Sequence, residues 1–411
     1  MKNRGYIISL ALLVLYLFSA CEDQNGSEII TNSISKYTVS FNADGGEPVP
    51  ENQIVNHNDK VDSPAAMTRE GFKFGGWYKE EAFENLWDFD HDVVTGNLTL
   101  YAKWNPPIIV PGADFAAKIN WLNNNVQSDS IYTIEFYLNE VIDPVNFSFT
   151  EKTNITIILR GSEIKRIVGL KSVNTTYSMF NVDSGITLVL DNNLEINCSN
   201  ILRYLEMINI SSGGILIINN GVKIIGNRSW PGIGINILSG GTFIMNGGEI
   251  SDIQVGVFVY GCGVFIMNDG EISANRRNGV QVFNDATFTM NGGKISDNSE
   301  SGVYVSGVFI MNSGEISANS TTSYSDEGGG VFVDTNGTFT MNNGEIFGND
   351  SPFGGGIGVK NGTFIMNDGR IYANASHAGG GVFVSSNATF TMNDGEIFEN
   401  LSNFGGGIVV K

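Results

Sequence analysis

Residues whose types could support chemistry are few in this sequence and mostly isolated. Asp326 and Glu327 form an adjacent acidic pair in the longest repeat loop, and His377 is the single histidine after residue 112. Enzymes that cleave polysaccharides need two carboxyl groups facing each other across the substrate, or an acid cluster with a basic residue. Adjacent side chains on a loop rarely meet that need, and His377 has no serine or cysteine nucleophile context. We therefore predict no catalytic residues.

Metal and cofactor sites are also not predicted. His57 and His91 lack histidine or cysteine partners at the spacing that zinc sites require. Cys198 and Cys262 lie far apart in different repeats, so we expect two buried free thiols and no disulfide framework. No cofactor motif is present, and the expected cofactor content is none.

One column of charged residues recurs once per repeat. Two basic residues interrupt its acids, which favours relief of repulsion over a continuous strip that binds cations. Its members are Glu249, Glu271, Lys294, Glu315, Glu345, Arg370 and Glu396.

Composition excludes several function classes. Hydrophobic residues make up 42% of the 411 residues, enough for a core, so wholesale disorder is excluded. The net charge of −20 disfavours nucleic acid and anionic lipid as partners, because both require basic surfaces. The secondary-structure elements are therefore more informative about function here than any single reactive side chain.

The N-terminal sequence is typical of an export signal. Lys2 and Arg4 precede an apolar stretch at residues 7–18, and small residues then lead to Cys21. Phe18-Ser19-Ala20-Cys21 resembles a bacterial lipobox, although Phe18 stands where leucine is usual. The resemblance implies a signal peptide at 1–20, lipidation of Cys21, a membrane anchor, and location in the cell envelope, outer membrane or cell surface. Ordinary signal cleavage is the alternative. Residues 21–36 are polar and predict a flexible tether.

Residues 37–104 predict a small β domain with strands near Tyr37, Gly71 and Leu98. The motifs at 69–78 (R-x-G-F-x-F-x-G-W-Y) and 100–104 (L-Y-A-K-W) resemble the Listeria–Bacteroides, or internalin B-type, repeat. That resemblance implies a β-grasp-like fold that acts as a spacer or adhesive module on bacterial surface proteins. Its aromatic residues could form a sugar-stacking platform, but core packing is favoured in so small a domain. They are Trp77, Tyr78, Trp87 and Trp104.

The remainder is built from repeats of 21–30 residues, a period that indicates a solenoid. Its segments are short, alternate with period two and are broken by Gly and Asn, so paired-helix repeats are excluded. Residues 105–112 predict a linker. Residues 113–411 predict a right-handed parallel β-helix of about ten coils, with a capping helix near 113–126 whose N-cap is Asp114. The fold class is all-β.

Stacked coils turn each repeat position into a column. The predicted inner columns are phenylalanine (243, 265, 288, 309, 339, 364, 390), methionine (245, 267, 290, 311, 341, 366, 392) and isoleucine (250, 272, 295, 316, 346, 371, 397). A glycine column (248, 270, 293, 314, 344, 369, 395) predicts turns with positive φ. An asparagine column (275, 298, 319, 349, 374, 400) predicts stacked amides and left-handed backbone.

The repeats resemble β-helix surface lipoproteins of spirochaetes and related bacteria, within the pectin-lyase-like, virulence-factor superfamily. This resemblance keeps a polysaccharide lyase or glycoside hydrolase as the alternative function. The sequence stops mid-coil at residues 405–411, which predicts either truncation or end-to-end contact with another chain.

Variable stretches between the asparagine column and the next Gly-Gly-Gly predict loops along one edge of the rod. We expect this edge to bind a host protein or glycan in a non-catalytic adhesin or display scaffold, against the alternative of a solvated loop row. A groove with three or more acids and a base would instead favour an enzyme. The candidate binding residues are Arg228, Trp230, Arg276, Arg277, Tyr324, Asp326, Phe353 and His377.

Overall fold

A computed structural model describes residues 35–69, 71–171, 178–229, 232–322 and 328–411. Two compact units make up the chain and divide close to Trp104. Among the described helices, none is long and apolar enough to cross a bilayer.

The N-terminal unit is a four-stranded sheet with the order β2-β1-β4-β3, formed by β1 (Lys36–Asn42), β2 (Gln53–Asn56), β3 (Lys73–Tyr78) and β4 (Leu98–Asn105). β1 pairs in parallel with β4 and antiparallel with β2. Trp77 and Trp87 are buried, and the Trp77 ring meets Phe41 at 5.0 Å. Core packing is therefore the role of these two tryptophans, whereas Tyr78 and Trp104 are half-buried.

A single helix, α1 (Phe115–Asn125), precedes the coils, as the sequence predicts. The Asp114 side chain accepts a hydrogen bond from the backbone N–H of Ala117 at 2.8 Å and caps the first turn. Phe115 is buried and stacks on Phe136 of the first coil at 5.4 Å. The helix thereby buries its apolar side against the start of the solenoid.

A parallel β-solenoid of about 11 turns follows. The sequence predicts one turn fewer, because the earliest coils lack the recurring Phe, Met and Ile residues of the later ones. Each coil has three strand positions, and the last coils add a fourth. The first-strand series follows Ile108–Ile109 and comprises Ser130–Phe136, Ile155–Gly161, Ile186–Asp191, Ile215–Ile218, Thr242–Ser251, Val264–Ser273, Thr287–Met290, Val308–Met311, Thr338–Met341, Thr363–Met366 and Thr389–Met392.

The second-strand series joins the first in one 21-stranded sheet, since Thr242–Ser251 and Val264–Ser273 span both positions. Its other strands are Glu140–Ile142, Arg166–Leu170, Leu194–Asn197, Lys223–Ile225, Lys294–Ser296, Glu315–Ser317, Glu345–Phe347, Arg370–Tyr372 and Glu396–Phe398.

The third-strand series forms an 11-stranded sheet of its own. It comprises Val145–Phe147, Phe180–Val182, Leu205–Ile210, Gly232–Ile237, Val255–Val259, Val280–Val282, Val303–Val305, Val331–Val333, Ile357–Val359, Val382–Val384 and Ile408–Val410. Three further strands, Asp350–Phe353, Ala375–Ala378 and Leu401–Phe404, form a small parallel sheet in the last coils.

The predicted inner columns are confirmed. Consecutive phenylalanine rings from Phe243 to Phe390 stack with centroids 4.6–5.0 Å apart and planes within 12° of parallel. The methionines from Met245 to Met392 pair residue for residue in register. Six of those seven methionines are fully buried, and Met392 in the last coil is 41% exposed. The rod thus has one continuous hydrophobic core.

The buried asparagine column forms a hydrogen-bonded ladder. The Asn275 side-chain amide donates to Asn298 Oδ1 at 2.9 Å, and the same bond recurs up to Asn400 at 2.8–3.0 Å. The prediction of left-handed backbone at these asparagines is wrong by one residue. Positive φ of 53–64° falls on the preceding residue, Ala318 in one coil and Gly348 in the next. That turn points the asparagine inward, where its amide satisfies backbone groups.

The predicted burial of both thiols is wrong for Cys262. Both cysteines are free, but Cys262 lies on an exposed turn and Cys198 is buried. Burial raises the pKa of Cys198 to about 12, so its thiol stays protonated and inert at neutral pH.

We expect iodoacetamide to label Cys262 in the native protein and Cys198 only after unfolding, measured by peptide mass mapping. Equal labelling rates in the native protein would contradict this burial.

Candidate functional site

Backbone hydrogen bonds align the variable stretches along one edge of the solenoid. The residue after each buried asparagine donates its N–H to the carbonyl oxygen of the asparagine in the preceding coil, as Ser299 does to Asn275 at 2.9 Å. The residues stacked in this way are 299, 320, 350, 375 and 401. We call residues 228–229, 276–277, 299–300, 320–322, 350–353, 375–378 and 401–404 the variable edge.

Three predicted arginines meet in the N-terminal part of this edge. Arg228 Nη2 donates to Ser299 Oγ at 2.5 Å. Arg276 Nη1 donates to the carbonyl oxygen of Ser229 at 3.3 Å, whereas Arg277 pairs with Glu300 at 3.0 Å. Arg228 and Arg276 thus contact neutral oxygens, and all three side chains remain exposed.

Phe353 and His377 lie on strands, not on the predicted loops. In the last coils the stretch after the asparagine extends, and Asp350–Phe353 pairs with Ala375–Ala378 in parallel. The His377 ring contacts Phe404 edge-on at 5.2 Å. Phe404 is 62% exposed and Leu401 is 74% exposed, so these paired strands present an apolar surface to solvent.

Four predicted site residues lie outside the described residues. They are Cys21, Trp230, Tyr324 and Asp326.

A second surface feature, which sequence reasoning missed, is an open groove of about 710 Å³ beside the second strands. It runs over the glycine turns of several coils, and its charged lining has both signs, with three acids between the two lysines. That lining is Lys223, Glu249, Asp269, Glu271, Lys294 and Glu315. The glycines have no side chains, so the turns leave space for the groove. The groove becomes evident only when the coils are placed in register.

Two ion pairs form along the charged column, each between residues of neighbouring coils. Lys223 pairs with Glu249, and Arg370 pairs with Glu345. Burial pushes the pKa of the Glu249 carboxyl up, but hydrogen bonds from Lys223 and Ser251 outweigh it and hold that pKa below its ordinary value. The hydrogen bond to Glu249 raises the pKa of Lys223. Arg370 thus relieves repulsion as the sequence predicts. Lys294, the other basic residue of the predicted column, makes no ion pair with a described residue, and Lys223 extends the column by one coil.

Chemically, the groove is suited to holding a polar ligand more than to transferring protons. Glu249 is ionised and engaged with Lys223, so it is a poor general acid near neutral pH. Within the described residues, no group of three or more His, Cys, Asp or Glu side chains is arranged to hold a metal ion. The three glutamates and two lysines nevertheless meet the composition that sequence reasoning set for an enzyme.

Replacing Lys223 by methionine tests the electrostatics of the groove. The lowered pKa of Glu249 gives stability that is present above pH 4.5 and is lost as pH falls through the lower folded value. We expect Lys223→Met to cost about 1 kcal/mol near neutral pH, a loss that shrinks well below pH 4.5. Urea unfolding at both pH values measures it.

Lys294→Met is the matched control, since Lys294 lies in the same column and makes no ion pair with a described residue. A loss for Lys223→Met that is independent of pH, or equal to that of Lys294→Met, would contradict the assignment.

Comparison with known protein families supports both units. Residues 37–103 match the family model of the Listeria–Bacteroides repeat domain. Residues 234–411 match the family model of the right-handed β-helix region. The fold predicted for the repeats is therefore confirmed.

Curated relatives share only a short segment with this chain. A putative Gly-rich membrane protein and a putative membrane protein of Evansella cellulosilytica are each 42% identical, over 71 and 72 residues. Internalin H of Listeria monocytogenes is 34% identical over 73 residues. These matches cover 17–18% of this chain and 8–13% of the relatives. The chain is thus an all-β protein in which a segment similar to the Listeria–Bacteroides repeat domain precedes a solenoid whose C-terminal part matches the right-handed β-helix region.

Proposed function

We propose that this protein is a non-catalytic, lipid-anchored cell-surface adhesin or display scaffold, which binds a protein or glycan through the variable edge. The observation that carries this proposal is the alignment of that edge, where stretches from successive coils stack at one hydrogen bond per coil. Repeated residues build the rod, and the stretches that differ from coil to coil are free to bind. The names of the relatives, membrane proteins and an internalin, support a surface location.

Two chemistries meet on this edge. Arg228 and Arg276 offer exposed guanidinium groups, which recognise carboxylates and sulfates well. His377, Leu401 and Phe404 offer an exposed apolar and aromatic surface. Aromatic and arginine side chains dominate binding hot spots, so the edge has the composition of a recognition surface.

Binding of the full chain to glycan arrays and to host matrix proteins tests this proposal. We expect the triple variant His377→Ser, Leu401→Ser, Phe404→Ser to lose at least about 10-fold in affinity, because it removes the apolar contact area. The matched control replaces three exposed residues near the cap, Tyr137, Leu138 and Val141, by serine. Wild-type affinity in the edge variant, or equal loss in the control, would overturn the assignment.

Lipid anchoring at Cys21 requires its own test. A chain that carries an alkyne-tagged fatty acid in cells, and whose Cys21→Ser variant carries none and leaves the membrane fraction, would support the anchor. Unchanged membrane association of Cys21→Ser would contradict it.

The groove favours one second candidate, a polysaccharide lyase or hydrolase. Glu249, Glu271 and Glu315 lie beside Lys223 and Lys294 in a volume that fits several sugar rings. Incubation with polygalacturonate and other acidic or neutral polysaccharides, followed by assays for unsaturated products and reducing ends, separates the candidates. We expect no turnover. Turnover that Glu271→Gln abolishes would establish the enzyme instead.

A further inference from the structure

One face of the solenoid is free of charge over ten consecutive coils. Side chains that point outward from the first strands form two columns in register, and every member is threonine, isoleucine or valine. We call them the threonine–isoleucine face. The first column is Thr156, Thr187, Ile215, Thr242, Val264, Thr287, Val308, Thr338, Thr363 and Thr389, and the second is Ile158, Val189, Ile217, Ile244, Ile266, Thr289, Ile310, Thr340, Ile365 and Thr391.

A third column, of asparagine, borders this face. Its exposed side-chain amides donate from one coil to the preceding one, as Asn312 does to Asn291 at 2.9 Å, from Asn246 through Asn393. Each amide thus uses its ladder bonds along the rod. The border of the face is uncharged from Asn219 to Asn393, whereas the two preceding coils have Arg160 and Asp191 at this position. β-Branched side chains have restricted rotamers, so the surface is rigid as well as flat.

Charge distinguishes this face from the second-strand side of the solenoid, whose outward column carries Glu249, Glu271 and Lys294. The chain has a net charge of −20, so two copies repel each other wherever charged surfaces meet. On the threonine–isoleucine face, ten coils present no charged group in either column. Close approach there removes apolar area from water without desolvating an ion.

We propose that the threonine–isoleucine face is a lateral interface, on which a second copy of this chain packs its own face. Side chains on it repeat at about 4.8 Å along the rod, and a partner interdigitates over the full length only if it has the same repeat. A second copy has the same sequence and therefore the same repeat. A two-fold axis between the copies makes the interface self-complementary.

The available area suits a stable pair. Ten coils at about 4.8 Å, with two columns about 7 Å apart and an asparagine border along eight of these coils, give a surface of roughly 50 Å by 15–20 Å. That is on the order of 800 Å² per copy, the usual share of each partner in a stable interface. Lateral pairing also doubles the number of variable edges per assembly, which raises avidity for any partner.

Sedimentation of the full chain tests the interface. We expect a dimer whose association strengthens with added salt, because salt screens the repulsion between acidic copies. In the double variant Ile266→Lys, Ile310→Lys, buried unpaired charges should raise the dimer dissociation constant by roughly 100-fold or more. Circular dichroism checks that the variant is folded. Ser320→Lys, at an exposed position outside the threonine–isoleucine face, is the matched control and should remain dimeric.

A wild-type chain that stays monomeric at high concentration, or a folded double-lysine variant that stays dimeric, would overturn this interface. Monomers that sediment with microcrystalline cellulose or chitin would also overturn it and assign the face to a carbohydrate lattice. The proposal is independent of the adhesin function, because lysine on this face leaves the variable edge unaltered.

Discussion

Asn319→Ala should destabilise the solenoid by about 3 kcal/mol or more. The Asn319 side chain is fully buried and donates to the carbonyl oxygens of Ile295 and Ser317, both at 3.1 Å. Its Oδ1 accepts the side-chain amide of Asn298 at 2.8 Å. Alanine removes these hydrogen bonds where water cannot enter, and the desolvation cost of each group left unpaired then falls on the folded state.

Asn312→Ala is the matched control for that substitution. Asn312 belongs to the same coil and also makes two ladder bonds, to Asn291 at 2.9 Å and from Asn342 at 2.8 Å. Its side chain is exposed, so water replaces the lost partner and we expect a cost of at most about 1 kcal/mol. Urea unfolding of both variants, followed by circular dichroism, measures the difference. Equal costs would mean that burial does not govern the ladders.

Met311→Lys should abolish folding of the central coils. Met311 is fully buried between Met290 and Met341, with no acid in that column, so a lysine there places an unpaired charge in the core. The cost is roughly 5 kcal/mol, comparable to the whole stability of many domains. A solenoid is stabilised by contacts between neighbouring coils, so the damage also separates the coils on either side.

Ile310→Lys, one residue earlier, should be tolerated. Its side chain points outward on the threonine–isoleucine face and reaches solvent, so the expected cost is about 1 kcal/mol or less. Thermal melts of both variants measure the contrast. Similar melting temperatures would mean that the assignment of inner and outer faces is wrong.

Repetition decided how much of the fold the sequence could predict. Phe309, Met311 and Ile316 recur at fixed spacing in every later coil, so the sequence alone aligns their columns. The early coils replace these letters with other aliphatic residues, and the number of coils was therefore one too low. The exposed asparagine ladder follows each repeated methionine, and that signal was present but not used.

Features that depend on backbone conformation were less predictable. The left-handed residue lies at Ala318 and not at Asn319, because burial of the amide fixes the turn one position earlier. Likewise, Phe353 and His377 belong to strands, since pairing between neighbouring coils extended stretches that look irregular in isolation. The groove was missed because it needs Lys223, which precedes the clear repeats.

Spin labels on neighbouring coils test the central claim, that residues one repeat apart lie side by side in register. In a chain with Cys21→Ser and Cys262→Ser, diluted with unlabelled chain so that only labels within one copy interact, we expect the labelled pair Ile310→Cys and Thr340→Cys to show strong dipolar broadening, since adjacent strands lie about 4.8 Å apart. The pair Ile310→Cys and Thr391→Cys, three coils apart, should show far weaker coupling. Equal spectra for the two pairs, or no broadening in the first, would contradict the stacked solenoid.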